Sequence, residues 1–188
     1  MNRHHSKLTD WGLGHVSIRK TDLILDVGCG GGRTIGKLAA IASAGKVYGI
    51  DYSEASVAAA RKVNGRWIDT GRVEIEHGTV SHLPFANDTF DLVTAVETHL
   101  FWPGLAHDIG EVRRILRFGG QLMIVSEIYK GGKHIEGFRQ QILEKHVAAR
   151  MNLLTPNEHR ELFEKAGFSG VQILEERDKG WICATGRK

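Results

Sequence analysis

The chain has 188 residues, 41% hydrophobic and 25% charged, with a formal net charge of +3 at pH 7. That size and balance predict one soluble globular domain over residues 1–188, built on a single sizeable core. No apolar run approaches the ~20 residues that cross a bilayer, so a membrane protein is not expected. The polar stretch from Met1 to Lys20 lacks the apolar core of a signal peptide. Two cysteines, Cys29 and Cys183, make no disulfide framework, and a cytoplasmic protein is expected. The basic residues are scattered, which argues against a dedicated nucleic-acid binder.

A helical segment is expected within residues 1–20. Leu23 to Val27 then reads as a buried strand that ends at glycines. Ile35, Leu38 and Ile41 follow at helical spacing, and Lys46 to Ile50 is a second strand. Ser53 is the natural cap of an Ala-rich helix that runs to about Val63. Arg72 to His77 alternates as a strand does, and Phe90 to Val96 is a longer buried strand. Leu105, Ile109, Val112 and Leu116 mark the core face of a helix that Gly119-Gly120 ends, with Arg113, Arg114 and Arg117 on its solvated side. Gln121 to Ser126 is the next strand.

Residues 128–154 are material for a short lid, mostly one amphipathic helix with Phe138, Ile142, Leu143 and Val147. Thr155-Pro156-Asn157-Glu158 is a helix start with a capping box and proline in the first turn, and Gly167 stops that helix. Val171 to Glu176 and Trp181 to Thr185 are joined so closely that they must form an antiparallel hairpin. Strands alternating with helices predict an α/β fold, a mostly parallel sheet covered on both faces. Its ligand crevice should lie beyond the C-terminal strand ends, where the strand order reverses.

The first strand ends in Asp26-Val27-Gly28-Cys29-Gly30-Gly31-Gly32. Glycines at this spacing let the backbone turn sharply and approach a ligand closely. A dinucleotide fingerprint would need its third glycine at position 33, which is arginine. An acid two residues before Gly28 would repel a pyrophosphate and favour a ligand with a cationic end. Asp51 closes the second strand, where a carboxylate can accept hydrogen bonds from both ribose hydroxyls. Those features favour S-adenosylmethionine. A nicotinamide-dependent dehydrogenase is the alternative they weaken.

Four segments in order, ILDVGCGGG, VYGIDYS, GTVSHLPFANDTFDLV and EVRRILRFGGQLMIVSE, resemble the class I, Rossmann-like S-adenosylmethionine-dependent methyltransferases, in particular the methyltransferase type 11 group. The resemblance covers about Leu23 to Glu127, and the terminal hairpin also fits it. It implies a doubly wound sheet of seven strands with the last antiparallel. It implies S-adenosylmethionine as donor and S-adenosylhomocysteine as product. Gly28 and Gly30 would then face the methionine part, Asp51 the ribose and Tyr52 the adenine; Asp26 and Cys29 are counted with them as cofactor-binding candidates, although Cys29 and Cys183 also read as small packed residues. Many relatives carry an aspartate after the glycine that follows the third strand. Here Gly78 is followed by Thr79, Val80 and Ser81, leaving the Thr79 hydroxyl or the Val80 amide for the adenine edge.

The resemblance also bears on chemistry through what is missing. After the fourth strand there is no Pro-Pro-Tyr or Pro-Pro-Phe, the mark of amino-group methylation on adenine or glutamine, and no Pro-Cys pair for attack on cytosine. No His, Cys and carboxylate cluster has metal-ligand spacing, so no metal is expected. The fourth strand runs out into Glu97-Thr98-His99-Leu100-Phe101-Trp102-Pro103. Glu97 is a candidate contact for the donor's ammonium group and for catalysis, and His99 a candidate general base. Phe101 and Trp102 are candidates for an apolar wall. Trp11, Tyr129 and His134 are further candidates. A small-molecule acceptor, an open or lightly covered site and a monomer or homodimer are expected. A non-catalytic S-adenosylmethionine-binding subunit is the remaining alternative.

Overall fold

The computed structural model describes residues 6–137 and 151–188. The expected helix around Phe138, Ile142, Leu143 and Val147 lies outside the described residues. The elements, in chain order, begin with α1 (Ser6–Leu13), β1 (Leu23–Val27), α2 (Arg33–Ile41), β2 (Lys46–Asp51), α3 (Glu54–Val63), α4 (Gly65–Asp69), β3 (Val73–His77) and β4 (Phe90–Val96). A single 3₁₀ turn at His99–Phe101 follows, then α5 (Leu105–Ile115), β5 (Leu116–Ser126), α6 (Pro156–Lys165), β6 (Ser169–Glu176) and β7 (Trp181–Arg187).

The strands form one seven-stranded sheet in the order β3-β2-β1-β4-β5-β7-β6. All neighbours from β3 through β5 pair in parallel, and β7 runs antiparallel between β5 and β6. The antiparallel strand therefore lies one place in from the sheet edge. Period-2 alternation sends successive side chains to opposite faces. Leu25 and Val27 enter one core with Ile109 and Val112 of α5 and Phe163 of α6. Ile24 enters the other with Leu8 of α1, Ile35 and Leu38 of α2, and Val57 of α3. The order reverses between β1 and β4, so their C-terminal ends open a crevice that no crossover covers.

The caps behave as their chemistry requires. The Ser53 hydroxyl accepts the Ser56 amide at 3.3 Å at the start of α3. Thr155 and Glu158 exchange both bonds of a capping box at the start of α6, at 3.1 and 2.7 Å. One boundary differs from the sequence expectation. Helix α5 ends at Ile115, and the chain enters β5 at Leu116, which pairs with Phe90 before a register shift near Gly119-Gly120. Leu116 is fully buried in the strand, so an apolar residue at helical spacing was equally a core residue of the next element. The short α4 and the 3₁₀ turn carry too few residues for a periodic signal.

Candidate active-site cleft

A cleft of about 490 Å³ opens at the C-terminal ends of β1, β2 and β4. Its floor is the turn between β1 and α2. Gly28, Gly30 and Gly32 have φ of 71°, 51° and 77°, a left-handed conformation that only glycine adopts without strain. The amides of Gly28 and Cys29 both donate to the Ile50 carbonyl, at 2.8 and 3.0 Å. A Cβ on Gly28 would sit 2.5 Å from Thr98 Cγ2, whereas one on Gly30 would meet nothing within 4 Å. Gly30 thus leaves open space in the cleft. At the far end of the turn the buried Asn64 amide donates to Gly32 O and Ala60 O, each at 2.9 Å. Sequence reasoning passed over Asn64, because an asparagine after a helix reads as an ordinary cap.

Asp51 stands beside this turn. One carboxylate oxygen accepts the Gly30 amide at 2.8 Å and the other the Ser53 amide at 2.9 Å. Each oxygen keeps a second lone pair. Asp26 lies behind, buried, and accepts the Thr94 hydroxyl at 2.7 Å. Burial pushes the Asp26 carboxyl up to about 7; the Thr94 bond opposes this and the nearby Asp51 charge adds to it. Tyr52 is 77% exposed on the cleft wall. The Gly78 amide donates to the Asp51 carbonyl at 3.0 Å, which brings the chain after β3 alongside. There Thr79 is exposed and its hydroxyl accepts the Ser81 amide at 3.3 Å. Val80 is buried in the core, and neither residue lines the 490 Å³ cleft. Cys29 lines the cleft through the turn, while its side chain packs in the core beside Gly49, and burial pushes the thiol pKa well above the usual value.

The other half of the cleft is built from the exits of β4 and β5. Glu97 has a φ of 61°, rare for a residue with a Cβ. Its amide donates to Val125 O at 3.0 Å, and its carboxyl accepts the Glu127 amide and lies 3.2 Å from Ser126 Oγ. Burial pushes that carboxyl up to about 8; the Glu127 amide opposes this, and the Glu127 charge adds to it. Leu100, Phe101 and Ile128 continue the wall, and Ser6 and Thr9 of α1 close it from the other side.

His99 does not reach this cleft. Its side chain is fully buried, with Nε2 at 3.2 Å from His159 Nε2 of α6. Burial and the neighbouring His159 push its pKa well below the usual histidine value. The expectation of a cleft-facing base at this position is therefore corrected: the 3₁₀ turn rotates His99 inward and Phe101 outward. Trp102 is buried likewise. Trp11 packs on Trp181 with ring centres 5.8 Å apart, Tyr129 donates to Glu175 at 3.0 Å, and His134 bonds Lys179 O at 2.8 Å. None of these three lines the cleft. Among the described residues no group of three His, Cys, Asp or Glu gathers as for a metal ion.

A parallel-centred sheet with a terminal antiparallel strand, and a glycine turn facing an acid at the switch point, defines a Rossmann-like nucleoside-binding enzyme. The family model of the methyltransferase domain matches residues 24–120. The chain belongs to the class I S-adenosylmethionine-dependent methyltransferases. It is 34% identical over 119 residues to the 27-O-demethylrifamycin SV methyltransferase of Amycolatopsis mediterranei, covering 63% of this chain and 43% of that one. It is 28% identical over 180 residues to a demethylmenaquinone methyltransferase of Bacillus cereus, covering 84% and 74%. A methyltransferase solved in complex with the Haloferax volcanii Trm112 activator shares the fold, with a TM-score of 0.83 at 22% identity, over 100% of this chain and 91% of that one. The chain spans about half the length of several curated relatives that it matches.

Proposed function

We propose that this cleft binds S-adenosylmethionine and serves methyl transfer to a small-molecule acceptor. The observation that carries the reading is the Gly28–Gly32 turn, held open at Gly30 directly beside the Asp51 carboxylate. Asp51 is assigned to the ribose hydroxyls, Tyr52 to a face of the adenine, and Thr79 or the Val80 amide to its edge. Gly28, Cys29 and Gly30 are assigned to the methionine part, with Asp26 supporting the turn from behind. When bound, the donor supplies a methyl carbon already activated by a sulfonium. The chain's contribution is then alignment, which alone can supply about 7–11 kcal/mol of barrier lowering. With His99 buried, Glu97 is the titratable group offered for the acceptor's proton. The two curated relatives named above, whose names specify small molecules, support that acceptor class. A cytoplasmic setting belongs to the same proposal and rests on two unpaired, buried thiols.

Calorimetry tests the donor half. S-adenosylhomocysteine should bind and NADH should not. Asp51→Ala should weaken binding by about 1.5–3 kcal/mol, the range for hydrogen bonds to a charged group. An unaltered affinity removes Asp51 from the site. For the acceptor half, a carboxyl raised to about 8 must ionise before it takes a proton, so methyl transfer should rise with pH through about 8. Glu97→Gln should abolish that rise; the same profile in the variant would release Glu97 from the role.

A second reading has its own observation, the structural match to a methyltransferase held by an activator. If the purified chain binds the donor yet transfers nothing to an extract of small metabolites, an activating subunit is the next component to add.

A further inference from the structure

The donor reading accounts for one half of the cleft and leaves the other without a ligand. The apolar lining of that half, beside Phe101, is Val96 and Leu100 from the exit of β4 and Ile128 from the exit of β5. Leu100 and Ile128 are not isolated apolar residues. They pack with Ile135 into a cluster of their own, with Met151 and Leu153 against it. Phe101, next to Leu100 in the chain, lines the cleft and is 54% exposed, while its neighbours Leu100 and Trp102 are buried at 2% and 5%. An aromatic ring held out of the core on a short, well-anchored turn is surface available to a flat apolar partner.

The charges near this wall are already engaged. Glu97 is held by the Glu127 amide beside Ser126. Lys37 donates to Ser6 O at 3.0 Å and pairs with Asp10. The Thr98 hydroxyl donates to Val27 O at 3.0 Å. A charged acceptor would surrender its hydration against Leu100, Phe101 and Ile128, which is costly without a partner. An anion would also face the Glu127 carboxylate. A cation would gain from Glu97 only by ionising a carboxyl that its surroundings hold neutral.

We propose that the acceptor is a neutral, largely apolar molecule, with a planar ring or conjugated system that stacks on Phe101 and a weakly acidic hydroxyl presented toward Glu97. This rests on the donor reading for its orientation but not for the wall itself. Phe101 is then the residue that sets acceptor specificity.

The test uses 1-naphthol as the neutral probe, with tyramine and 4-hydroxybenzoate as cationic and anionic phenols of similar reach. Each is titrated by calorimetry into the protein saturated with S-adenosylhomocysteine. Naphthol should bind at least tenfold tighter than either ion. Phe101→Ala, at an exposed position that folding tolerates, should weaken naphthol at least tenfold while S-adenosylhomocysteine affinity stays within twofold, and Phe101→Tyr, which keeps the ring, should retain most of it. Equal or tighter binding of a charged phenol overturns the proposal, as does a naphthol affinity indifferent to Phe101→Ala. If S-adenosylhomocysteine itself fails to bind, the donor reading falls, and the same titrations on the protein alone decide the wall.

Discussion

The two halves of the cleft are made by different means. The half proposed for the donor is backbone: one contiguous turn, three left-handed glycines, and amides that fold onto Ile50 O and Asp51. The half proposed for the acceptor is long-range side-chain work. Its 3₁₀ turn is gripped from behind by Asn152, whose amide donates to Leu100 O at 2.8 Å and whose side chain donates to His99 O and Trp102 O at 3.1 and 2.7 Å. His159, from α6, meets His99 in the same place. A donor common to a family can be served by a fixed backbone cradle, whereas an acceptor particular to one member needs a surface that side chains can redraw.

That division can be broken most forcefully at Gly28. Gly28→Ala forces an L-residue to a φ of 71°, at about 1–2 kcal/mol, and drives its Cβ into Thr98. S-adenosylhomocysteine affinity should fall at least about 100-fold by calorimetry, with a lower melting temperature. Retained affinity would mean that the cradle is not defined by its backbone.

Asn152→Ala is the counterpart on the other half. It removes two side-chain bonds to carbonyls of the 3₁₀ turn and should cost about 1–3 kcal/mol in urea unfolding. Methyl transfer should fall while S-adenosylhomocysteine affinity holds. A parallel loss of both would show that the halves act as one unit.

The His99–His159 contact predicts a smaller, pH-dependent effect. Both histidines have folded pKa values below the usual one, His99 well below it, chiefly through burial. In the unfolded chain each takes a proton below about pH 6.5. The contact's stability contribution is therefore present above that pH and lost as pH falls through it. Asp26 and Glu97 act with the opposite sign, since raised carboxyl values withdraw stability as pH climbs toward about 7 and 8. From pH 7 to pH 5 the urea midpoint of the wild type should fall relative to that of a His99→Phe, His159→Leu double variant, in which only the carboxyls remain. Coincident curves would separate the pair from the acid sensitivity.

The smallest effect is expected at Phe118, which is 94% exposed and at the opposite end of the sheet from the cradle. Phe118→Ser should change stability by less than about 0.5 kcal/mol and leave donor binding alone. A loss of binding there would mean that the cleft extends beyond the strand ends described.

The strands and the capped helices α3 and α6 were legible because each carries a local signal: period-2 alternation, a serine cap, a capping box, a stopping glycine. The end of α5 was not, because Leu116 satisfies helix spacing and strand burial alike. In the cleft, the positions of the glycine turn and of Asp51 could be read directly, since each is set by one short segment. His99 could not. Its residue type suits a base, but whether a side chain in a three-residue turn faces cleft or core depends on what α6 places behind it.

Sequence alone thus determined the alternating fold, the glycine cradle and the acid that faces it, because backbone conformation and periodicity are properties of neighbouring residues. Only the tertiary structure decided that Phe101 and not His99 faces the cleft, that burial raises the carboxyl pKa of Glu97 as well as that of Asp26, and that Asn64, Asn152 and His159 hold the walls. Those outcomes come from burial and from partners 30 to 60 residues away, which set side-chain direction and the cost of charge and leave no trace in local pattern.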